Sequence, residues 1–374
     1  MAEARISSER AMRLALRLAR RGAGQTWPNP SVGAVVYRGT RILGRGTTRA
    51  SGGAHAEIVA IENARRRHGP NALRGASMAV TLEPCCTHGR TGPCTDALVE
   101  AGVRRVFIGC RDSHPKISGR GIRRLRRAGI VVDVGVLEPE CRTEHRGFLS
   151  VQERGRPFVS LKLAATLDGR IATADGKSRW ITGQASRQIV HRLRARSDAI
   201  VVGSATARTD NPRLDARVTG RMPVRPVRVL VDSKLRVPVS SRIYRVADVE
   251  RTWALCAPGA RGIAVRNRLG ARVLECPVRG GHLDLRKAFG RLAREGLTEV
   301  LVEGGGELAA ALLRARLIDE FHWFVAPKLI GGDGRPALAS LGLRQLAKAV
   351  ALKEVRTRKS GDDILLTGSI GDFP

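Results

Sequence analysis

Residues 81–106 read TLEPCCTHGRTGPCTDALVEAGVRRV, and a shorter stretch, His55-Ala56-Glu57, lies about 30 positions before them. Together they bring an imidazole and the thiols of Cys85, Cys86 and Cys94 within one section of the chain. One His and two Cys are sufficient to hold Zn²⁺ with a fourth position open for water, which is the arrangement of a catalytic zinc site. Because zinc makes its bound water a nucleophile near neutral pH, the pattern predicts a hydrolytic centre.

Glu57 follows His55 by two residues. A carboxylate that is not a metal ligand can take a proton from the water and deliver it to a departing amine. Zinc-dependent nucleobase deaminases carry H-x-E followed by P-C-x-x-C. Here Cys94 comes nine positions after Cys85 instead of three, and the turn-forming residues between them allow a loop that returns Cys94 to the metal.

The remaining cysteines have simpler interpretations. Cys86 is adjacent to Cys85 and cannot easily share its direction, so we expect it to be buried or to line the pocket wall. His88 is a weaker alternative ligand, expected instead to line the substrate entry. An odd total of seven cysteines argues against a disulfide framework. The four isolated cysteines are expected to be small buried residues: Cys110, Cys141, Cys256 and Cys276.

Length and composition predict two globular α/β domains. A chain of 374 residues is too long for one ordinary core, and helical and strand patterns alternate in both halves. A polar stretch with a Gly and a Pro, residues 138–157, is expected to connect domains spanning 1–150 and 151–374. No long apolar run indicates a signal peptide or a membrane span, so we expect a cytoplasmic protein.

The formal net charge of +32 would, taken alone, favour a nucleic-acid or membrane partner. Only nine of the 66 basic residues are Lys, however, and the arginines are spread along the whole chain. This distribution indicates a bias in residue usage, so we do not expect nucleic acid as a partner. A basic enzyme would still attract phosphorylated substrates.

The 81–106 stretch, with its cysteine spacing, closely resembles the deaminase domain of the bifunctional riboflavin-biosynthesis deaminase/reductases. The resemblance continues from Pro157 almost to the C-terminus with the reductase domain of the same family. It implies a cytidine-deaminase-like α/β/α domain followed by a dihydrofolate-reductase-like domain that binds NADPH. No G-x-G-x-x-G opens a helix after a strand, which disfavours a conventional dinucleotide fold. The resemblance makes His55, Cys85 and Cys94 the zinc ligands and Glu57 the proton shuttle.

The resemblance also assigns binding residues. Asn29, held between two prolines, would contact the pyrimidine, and Arg194 and Arg217 would hold the sugar phosphate. Trp180 would pack along NADPH. Three glycines after a strand suit phosphates at a helix N-terminus. The implied cofactor residues are Ala164, Trp180, Thr206, Asp210, Ser233, Gly304, Gly305 and Gly306. The implied substrate residues are Asn29, Lys162, Ser178, Arg194, Leu214, Arg217 and Glu303.

The implied reactions are zinc-dependent deamination of a diamino-phosphoribosylamino-pyrimidinone and NADPH-dependent reduction of the product's ribose to a ribityl chain. We expect a homo-oligomer acting on small molecules. Three alternatives stay open. A nucleic-acid deaminase would use the positive charge but would leave about 220 C-terminal residues unexplained. A structural zinc module would show a fourth protein ligand and make Glu57 dispensable. One of the two domains could also be inactive.

Overall fold

The computed structural model describes residues 6–88, 92–218 and 225–371. The chain forms two compact units, Met1–Gly155 and Arg156–Pro374. The boundary after Gly155 lies close to the one expected after residue 150. The four isolated cysteines, in both units, are buried as expected. Within the described ranges, no helix is both long and apolar enough to cross a lipid bilayer.

The first unit is built on a five-stranded mixed sheet with the order β2-β1-β3-β4-β5. Strand β1 is antiparallel to both β2 and β3, whereas β3, β4 and β5 are parallel. The strands are β1 (Gly33–Arg38), β2 (Arg41–Thr47), β3 (Ser77–Leu82), β4 (Arg105–Cys110) and β5 (Val131–Val134). The helices are α1 (Ser8–Gly22), α2 (Ala56–His68), α3 (Cys94–Glu100), α4 (Arg120–Arg127), α5 (Glu138–Glu144) and α6 (Arg146–Arg154).

Two glycines show why helices cover both faces of this sheet. Gly46 is paired with Ala34, the neighbour of Gly33, so Gly33 and Gly46 face opposite sides of the pleat. A Cβ at Gly33 would overlap backbone atoms of α1, and a Cβ at Gly46 would overlap backbone atoms of α2. The absence of side chains therefore lets α1 and α2 approach the sheet closely from its two faces. This arrangement is the α/β/α sandwich.

The prediction of a connecting segment at 138–157 is wrong for most of its length, because α5 and α6 occupy it. His145, between these helices, is buried, and its Nε2 lies 3.0 Å from the Thr81 hydroxyl of β3. The two helices therefore pack on the domain core. The sequence did not reveal this because only a few small or apolar residues, such as Cys141 and Leu149, are buried among charged ones.

The second unit contains a nine-stranded sheet with the order β11-β10-β9-β8-β14-β6-β15-β18-β17. Its strands are β6 (Phe158–Thr166), β8 (Ala199–Gly203), β9 (Val227–Val231), β10 (Thr252–Cys256), β11 (Arg272–Glu275), β14 (Glu299–Val302), β15 (Glu320–Ala326), β17 (Leu352–Ser360) and β18 (Asp363–Ile370). Two small ribbons pair β7 (Arg170–Ala172) with β16 (Arg335–Pro336) and β12 (Val278–Arg279) with β13 (His282–Leu283). The helices are α7 (Gln184–Arg196), α8 (Ser204–Asp210), α9 (Ile263–Arg268), α10 (Leu285–Arg294) and α11 (Gly306–Arg314).

In this sheet the neighbouring strands β11, β10, β9, β8, β14, β6 and β15 are parallel to one another. Strands β18 and β17 are antiparallel additions at one edge. The carboxyl ends of the parallel strands therefore lie along one edge of the sheet, which is where open α/β sheets bind their ligands. Helix α8 directly follows β8 at this edge. This helix is a single short element of seven residues, which left little periodicity in the sequence to indicate it.

Candidate active sites

The predicted metal ligands of the first unit come from three separate elements. His55 is the N-cap residue of α2, Cys85 follows the end of β3, and Cys94 is the first residue of α3. The end of β3 lies close in space to the start of α2, because Cys85 and His55 are in contact. The backbone N–H of Cys94 lies 3.4 Å from the Cys85 sulfur, and the Thr95 N–H donates to the Cys85 carbonyl. These bonds hold the two cysteines together across the intervening loop, part of which lies outside the described residues.

The donor atoms of these three residues meet in one place. The Nδ1 atom of His55 lies 3.3 Å from Cys94 Sγ and 3.5 Å from Cys85 Sγ. The three ligand atoms all lie within 4.8 Å of one another. Ordinary zinc–sulfur and zinc–nitrogen bonds at a tetrahedral angle would place N and S about 3.5 Å apart. One imidazole nitrogen and two sulfurs at this separation fit a zinc ion with one further position for water.

The two sulfurs differ in their proton affinity. A hydrogen bond from the Cys94 thiol lowers the pKa of Cys85 to about 4, and the same hydrogen bond raises the pKa of Cys94. Contact with Cys85 also raises the pKa of His55. The N-terminus of the thirteen-residue helix α2 adds a positive dipole end beside the cluster. The site is therefore arranged to hold thiolate charge.

Glu57 lies in the first turn of α2 and is only 4% exposed. Burial is the main cause that raises its pKa, to about 7, and the nearby charge of Cys85 acts in the same direction. A carboxyl group with this pKa gains and loses a proton at neutral pH. General acid–base catalysis is most effective when the pKa of the catalytic group is close to the working pH.

The other predicted residues of this unit lie outside the cluster of donor atoms. Cys86 is half-buried and directs its sulfur toward the Lys116 carbonyl, 4.0 Å away. His88 is exposed. Asn29 is half-buried in the loop between α1 and β1, where its backbone N–H donates to Thr26. Its role as a pyrimidine ligand stays a prediction.

Sequence reasoning missed Glu83, which directly precedes the Pro84-Cys85 turn. Its buried carboxylate accepts backbone N–H groups of Asp112, Gly119 and Ile122 at 3.4, 3.0 and 3.2 Å. It therefore joins the end of β3 to the start of α4. The one signal available in the sequence was an acidic residue at the end of an apolar strand, where burial requires hydrogen-bond partners.

In the second unit, fourteen predicted residues line one cavity of about 2110 Å³. Sites for a single small molecule usually measure about 300–1,000 Å³, so this cavity has room for a dinucleotide and a second ligand. It opens at the carboxyl ends of the parallel strands. The predicted residues that line it are Lys162, Ala164, Ser178, Trp180, Arg194, Thr206, Asp210, Leu214, Arg217, Ser233, Glu303, Gly304, Gly305 and Gly306.

A buried ionic group forms part of the lining of this cavity. Arg194 donates from Nε and Nη2 to the two oxygens of Glu303 at 2.5 and 2.9 Å, and from Nη1 to the Asp215 carbonyl at 3.0 Å. The Lys162 ammonium lies 3.9 Å from the same carboxylate. Burial lowers the pKa of Lys162. Burial would raise the pKa of Glu303, but the charges and hydrogen bonds of Arg194 together with the charge of Lys162 outweigh it, so that pKa is lowered.

The two predicted phosphate ligands are therefore not equivalent. The guanidinium of Arg194 is already engaged by Glu303 and Asp215, and its side chain is only 15% exposed. The side chain of Arg217 is 73% exposed and contacts Asp215 at 3.5 Å. An incoming phosphate can reach Arg217 without breaking a buried ion pair, whereas Arg194 is better placed to orient Glu303.

The three glycines form the turn from β14 into α11. The Gly305 N–H donates to the Thr206 hydroxyl at 2.9 Å, which connects this turn to α8. A Cβ at Gly306 would come within 2.8 Å of the Pro336 carbonyl, so no larger residue fits there. The turn exposes the N-terminus of a nine-residue helix to the cavity, which suits a phosphate group.

A zinc-binding deaminase joined to a reductase is the class of protein that these two sites define. Residues 5–110 match the cytidine and deoxycytidylate deaminase zinc-binding region. Residues 157–366 match the RibD C-terminal domain, the reductase domain with a dihydrofolate-reductase-like fold, which uses NADPH.

Relatives cover nearly the whole chain. The riboflavin biosynthesis protein RibD of Escherichia coli (strain K12) is 39% identical, over 96% of this chain and 99% of its own length. The Acinetobacter baumannii RibD structure has a TM-score of 0.88 at 33% identity, covering 98% of this chain and 99% of that one. A deaminase/reductase from Thermotoga maritima has a TM-score of 0.86 at 34% identity, covering 97% and 99%. The chain belongs to the RibD family of bifunctional riboflavin-biosynthesis enzymes, which confirms the predicted family, fold, cofactors and paired activities.

Proposed function

We propose that the first unit deaminates a diamino-phosphoribosylamino-pyrimidinone to 5-amino-6-(5-phosphoribosylamino)uracil, and that the second unit reduces the ribose of this product to a ribityl chain with NADPH. The name of the Thermotoga maritima protein states the same two activities for that protein. The observation that carries the proposal is the meeting of His55, Cys85 and Cys94 donor atoms beside the buried Glu57.

In the deaminase unit, His55, Cys85 and Cys94 would hold zinc. When bound, zinc supplies Lewis acidity that activates water for attack on the ring carbon. Glu57 takes the proton released by that water and transfers it to the amino group, which leaves as ammonia. The residue then returns to its starting protonation state. Asn29 is assigned to the pyrimidine, and Cys86 and His88 take no part in metal binding.

In the reductase unit, the cavity holds cofactor and sugar together. Gly304, Gly305 and Gly306 with Thr206 bind the cofactor phosphates, and Trp180 packs along the cofactor. Further contacts to the cofactor come from Ala164, Asp210 and Ser233. The cofactor supplies hydride, so the protein's contribution is alignment and charge.

The substrate of the reductase occupies the other part of the cavity. Lys162 and Glu303 face the opened sugar, Arg217 binds its phosphate, and Arg194 orients Glu303. Ser178 and Leu214 complete this region. The large share of basic side chains around the cavity supports a phosphorylated small molecule as the ligand, so nucleic acid is not assigned as a partner.

We place the enzyme in the cytoplasm, where a zinc site with two thiolates remains reduced. All seven cysteines are free, which agrees with that compartment. The deaminase activity is assigned to the first unit and the reductase activity to the second.

We further propose a homo-oligomer in which β17 is covered by a second copy. Residues 342–359 are exposed or, at one position, half-buried, and apolar side chains lie among them, including Leu346 at 91% exposure and Leu352 at 46%. Burying such a strip on a sheet edge would remove apolar area from water. Light scattering after chromatography tests this: Leu352→Asp should shift the mass toward one chain, and an unchanged mass would contradict it.

The two-step function is tested by following ammonia release and NADPH oxidation separately. Zinc-loaded protein is incubated with the phosphoribosylamino-diaminopyrimidinone, with and without NADPH. We expect ammonia in both samples and NADPH oxidation only after deamination has begun. NADPH oxidation that precedes ammonia release would reverse the proposed order, and tight, salt-sensitive RNA binding without ammonia release would favour a nucleic-acid deaminase.

A further inference from the structure

Residues 178–183 form the last part of the connection from β7 to α7 and contain no helix or strand. Most of this segment lines the reductase cavity, including Trp180, whose side chain is largely exposed at 66%. Backbone groups in such a segment need partners from elsewhere in the structure. The partners of this segment therefore decide how firmly its indole ring is held at the cavity.

Lys328 supplies the central contacts. Its Nζ donates to the Trp180 carbonyl at 2.8 Å and to the Ile181 carbonyl at 2.9 Å. Both bonds have a charged donor, and such bonds are stronger than those between neutral groups. One ammonium group thus binds two successive peptide units, those that begin with the carbonyls of Trp180 and Ile181.

The backbone at Lys328 is also held by hydrogen bonds. Its carbonyl accepts the Leu167 N–H at 2.9 Å. The Asp168 carboxylate accepts the N–H groups of Ile330 and Gly331 at 3.1 and 2.7 Å. The loop after β15 is therefore attached to the turn after β6, and Lys328 extends from a well-anchored backbone.

The C-terminal end of the segment has separate anchors. The buried carboxylate of Asp363 accepts the Gly183 N–H at 2.8 Å and the Ser186 hydroxyl at 2.6 Å. Arg187 donates to the Thr182 carbonyl at 2.8 Å, and its guanidinium lies 4.5 Å from the Trp180 ring centroid. The contacts at this end do not include the carbonyls of residues 180 and 181, which are left to Lys328.

We propose that Lys328 is a positioning residue for the reductase, which holds the Trp180 segment in the conformation that accepts NADPH. The proposal rests on the proposed placement of the cofactor against Trp180. Among the described residues that line the cavity Lys328 is absent, so it acts through the segment and not by touching cofactor or substrate. With Lys328 in place, the cofactor does not have to order the segment when it binds, and pre-ordering of this kind increases affinity.

The test compares Lys328→Met, which keeps the length of the side chain but cannot donate, with Lys328→Arg, which can still donate two hydrogen bonds. Lys177→Met is the matched control. Lys177 lies just before the segment, and its exposed ammonium contacts Asp175 at 3.0 Å. The deamination rate of each preparation reports that the first unit is folded and zinc-loaded, and kcat of the reductase at saturating NADPH reports that the second unit is folded.

Two measurements report separately on the mobility of the segment and on the binding of the cofactor. Acrylamide quenching of tryptophan emission without cofactor, compared with Trp180→Phe, reports how freely the indole moves. Fluorescence titration then gives the Kd for NADPH. In Lys328→Met we expect stronger quenching of the Trp180 emission and a Kd raised about tenfold. The KM for NADPH should rise with it, whereas kcat at saturating cofactor should change much less. Lys328→Arg should restore most of the affinity, and Lys177→Met should match the unmodified enzyme.

The outcomes separate the two proposals. A Kd that rises in Trp180→Phe but not in Lys328→Met would overturn the role of Lys328 alone. A Kd that is unchanged in Trp180→Phe would contradict the placement of NADPH itself. Equal effects of Lys328→Met and Lys177→Met would show a general effect of charge instead of positioning, and would also overturn the proposal.

Discussion

The two sites of this enzyme differ in how their chemistry is distributed. In the deaminase unit, three donor atoms meet within 4.8 Å and one buried carboxylate stands beside them. In the reductase unit, the cavity is lined from β6, α7, α8, the end of β9 and the β14–α11 turn. A concentrated site depends fully on each member, whereas a distributed site shares binding among many contacts. We therefore expect single substitutions to lower the rate of deamination more strongly than the rate of reduction.

The largest effect is expected for Glu57→Gln. Gln cannot carry the proton from water to the amine, so deamination should fall by about 10²–10⁴-fold. Zinc content and reduction of the deaminated intermediate should be retained. Glu62→Gln, on the same helix with its side chain 55% exposed, is the control and should behave as the unmodified enzyme. Simultaneous loss of both activities in Glu57→Gln would count against separate sites.

Glu303→Gln should have the largest effect in the reductase unit. The change leaves Arg194 and Lys162 in a buried place without their carboxylate, and breaking a buried pair is strongly unfavourable. We expect steady-state NADPH oxidation to fall about 100-fold while ammonia release is unchanged. The control is Glu295→Gln, whose carboxylate also pairs with two arginines, Arg272 and Arg291, but does not line the cavity. Full reductase activity in Glu303→Gln would show that the ionic group of Glu303, Arg194 and Lys162 is not needed for reduction.

Thr206→Val should have a smaller effect of the same kind. Valine keeps the shape but removes the acceptor of the Gly305 N–H, which loosens the glycine turn. One lost hydrogen bond should raise the Kd for NADPH about tenfold, as measured by fluorescence titration. Unchanged affinity would show that this bond does not organise the phosphate-binding turn.

The last prediction concerns stability and its pH dependence instead of activity. Asp198 is buried and accepts hydrogen bonds from Thr298 N, Thr298 Oγ1 and Glu299 N at 2.8, 2.7 and 2.9 Å. Burial raises its pKa to about 6. The folded unit thus binds this proton more tightly than the unfolded chain does. The contribution to stability is present below the ordinary pKa and is lost as the pH rises through about 6.

Asp198→Asn removes this titration. The difference in unfolding free energy between the two proteins should therefore change between about pH 4 and pH 6, by an amount on the order of 3 kcal/mol, and stay constant above. Urea unfolding followed by tryptophan fluorescence measures it. A difference that does not vary with pH would show that Asp198 keeps the same protonation state across this range.

The same contrast explains how much could be predicted from the sequence. His55, Glu57 and the clustered cysteines carry specific chemistry, so a metal site could be inferred from these residue types, and the resemblance to the family selected Cys85 and Cys94 as ligands. The reductase residues were identified through resemblance to a family, because an isolated Arg or Gly in this chain has little meaning by itself. Their place around one cavity follows from strands that are distant in sequence but parallel in the sheet.

The features that could not be predicted depend on contacts between residues that are far apart in the sequence. Glu303 binds Arg194 across 109 positions, and Lys328 reaches the carbonyl of Trp180 across 148. The helices within residues 138–157 were missed for the same reason, since their stabilising contacts are with a sheet that the local sequence does not show. Hydrogen bonds between a side chain and distant backbone groups leave no pattern in the sequence, so the partners of Glu83 and Lys328 became visible only in the fold.

Zinc content measured by atomic emission in Cys94→Ser and Cys86→Ser proteins tests the metal site most directly. If His55, Cys85 and Cys94 hold the ion, the unmodified chain and Cys86→Ser should each carry about one zinc. Cys94→Ser should carry almost none and release no ammonia, while its reductase still oxidises NADPH with the deaminated intermediate. Zinc that persists in Cys94→Ser, or that is lost with Cys86, would contradict this ligand set.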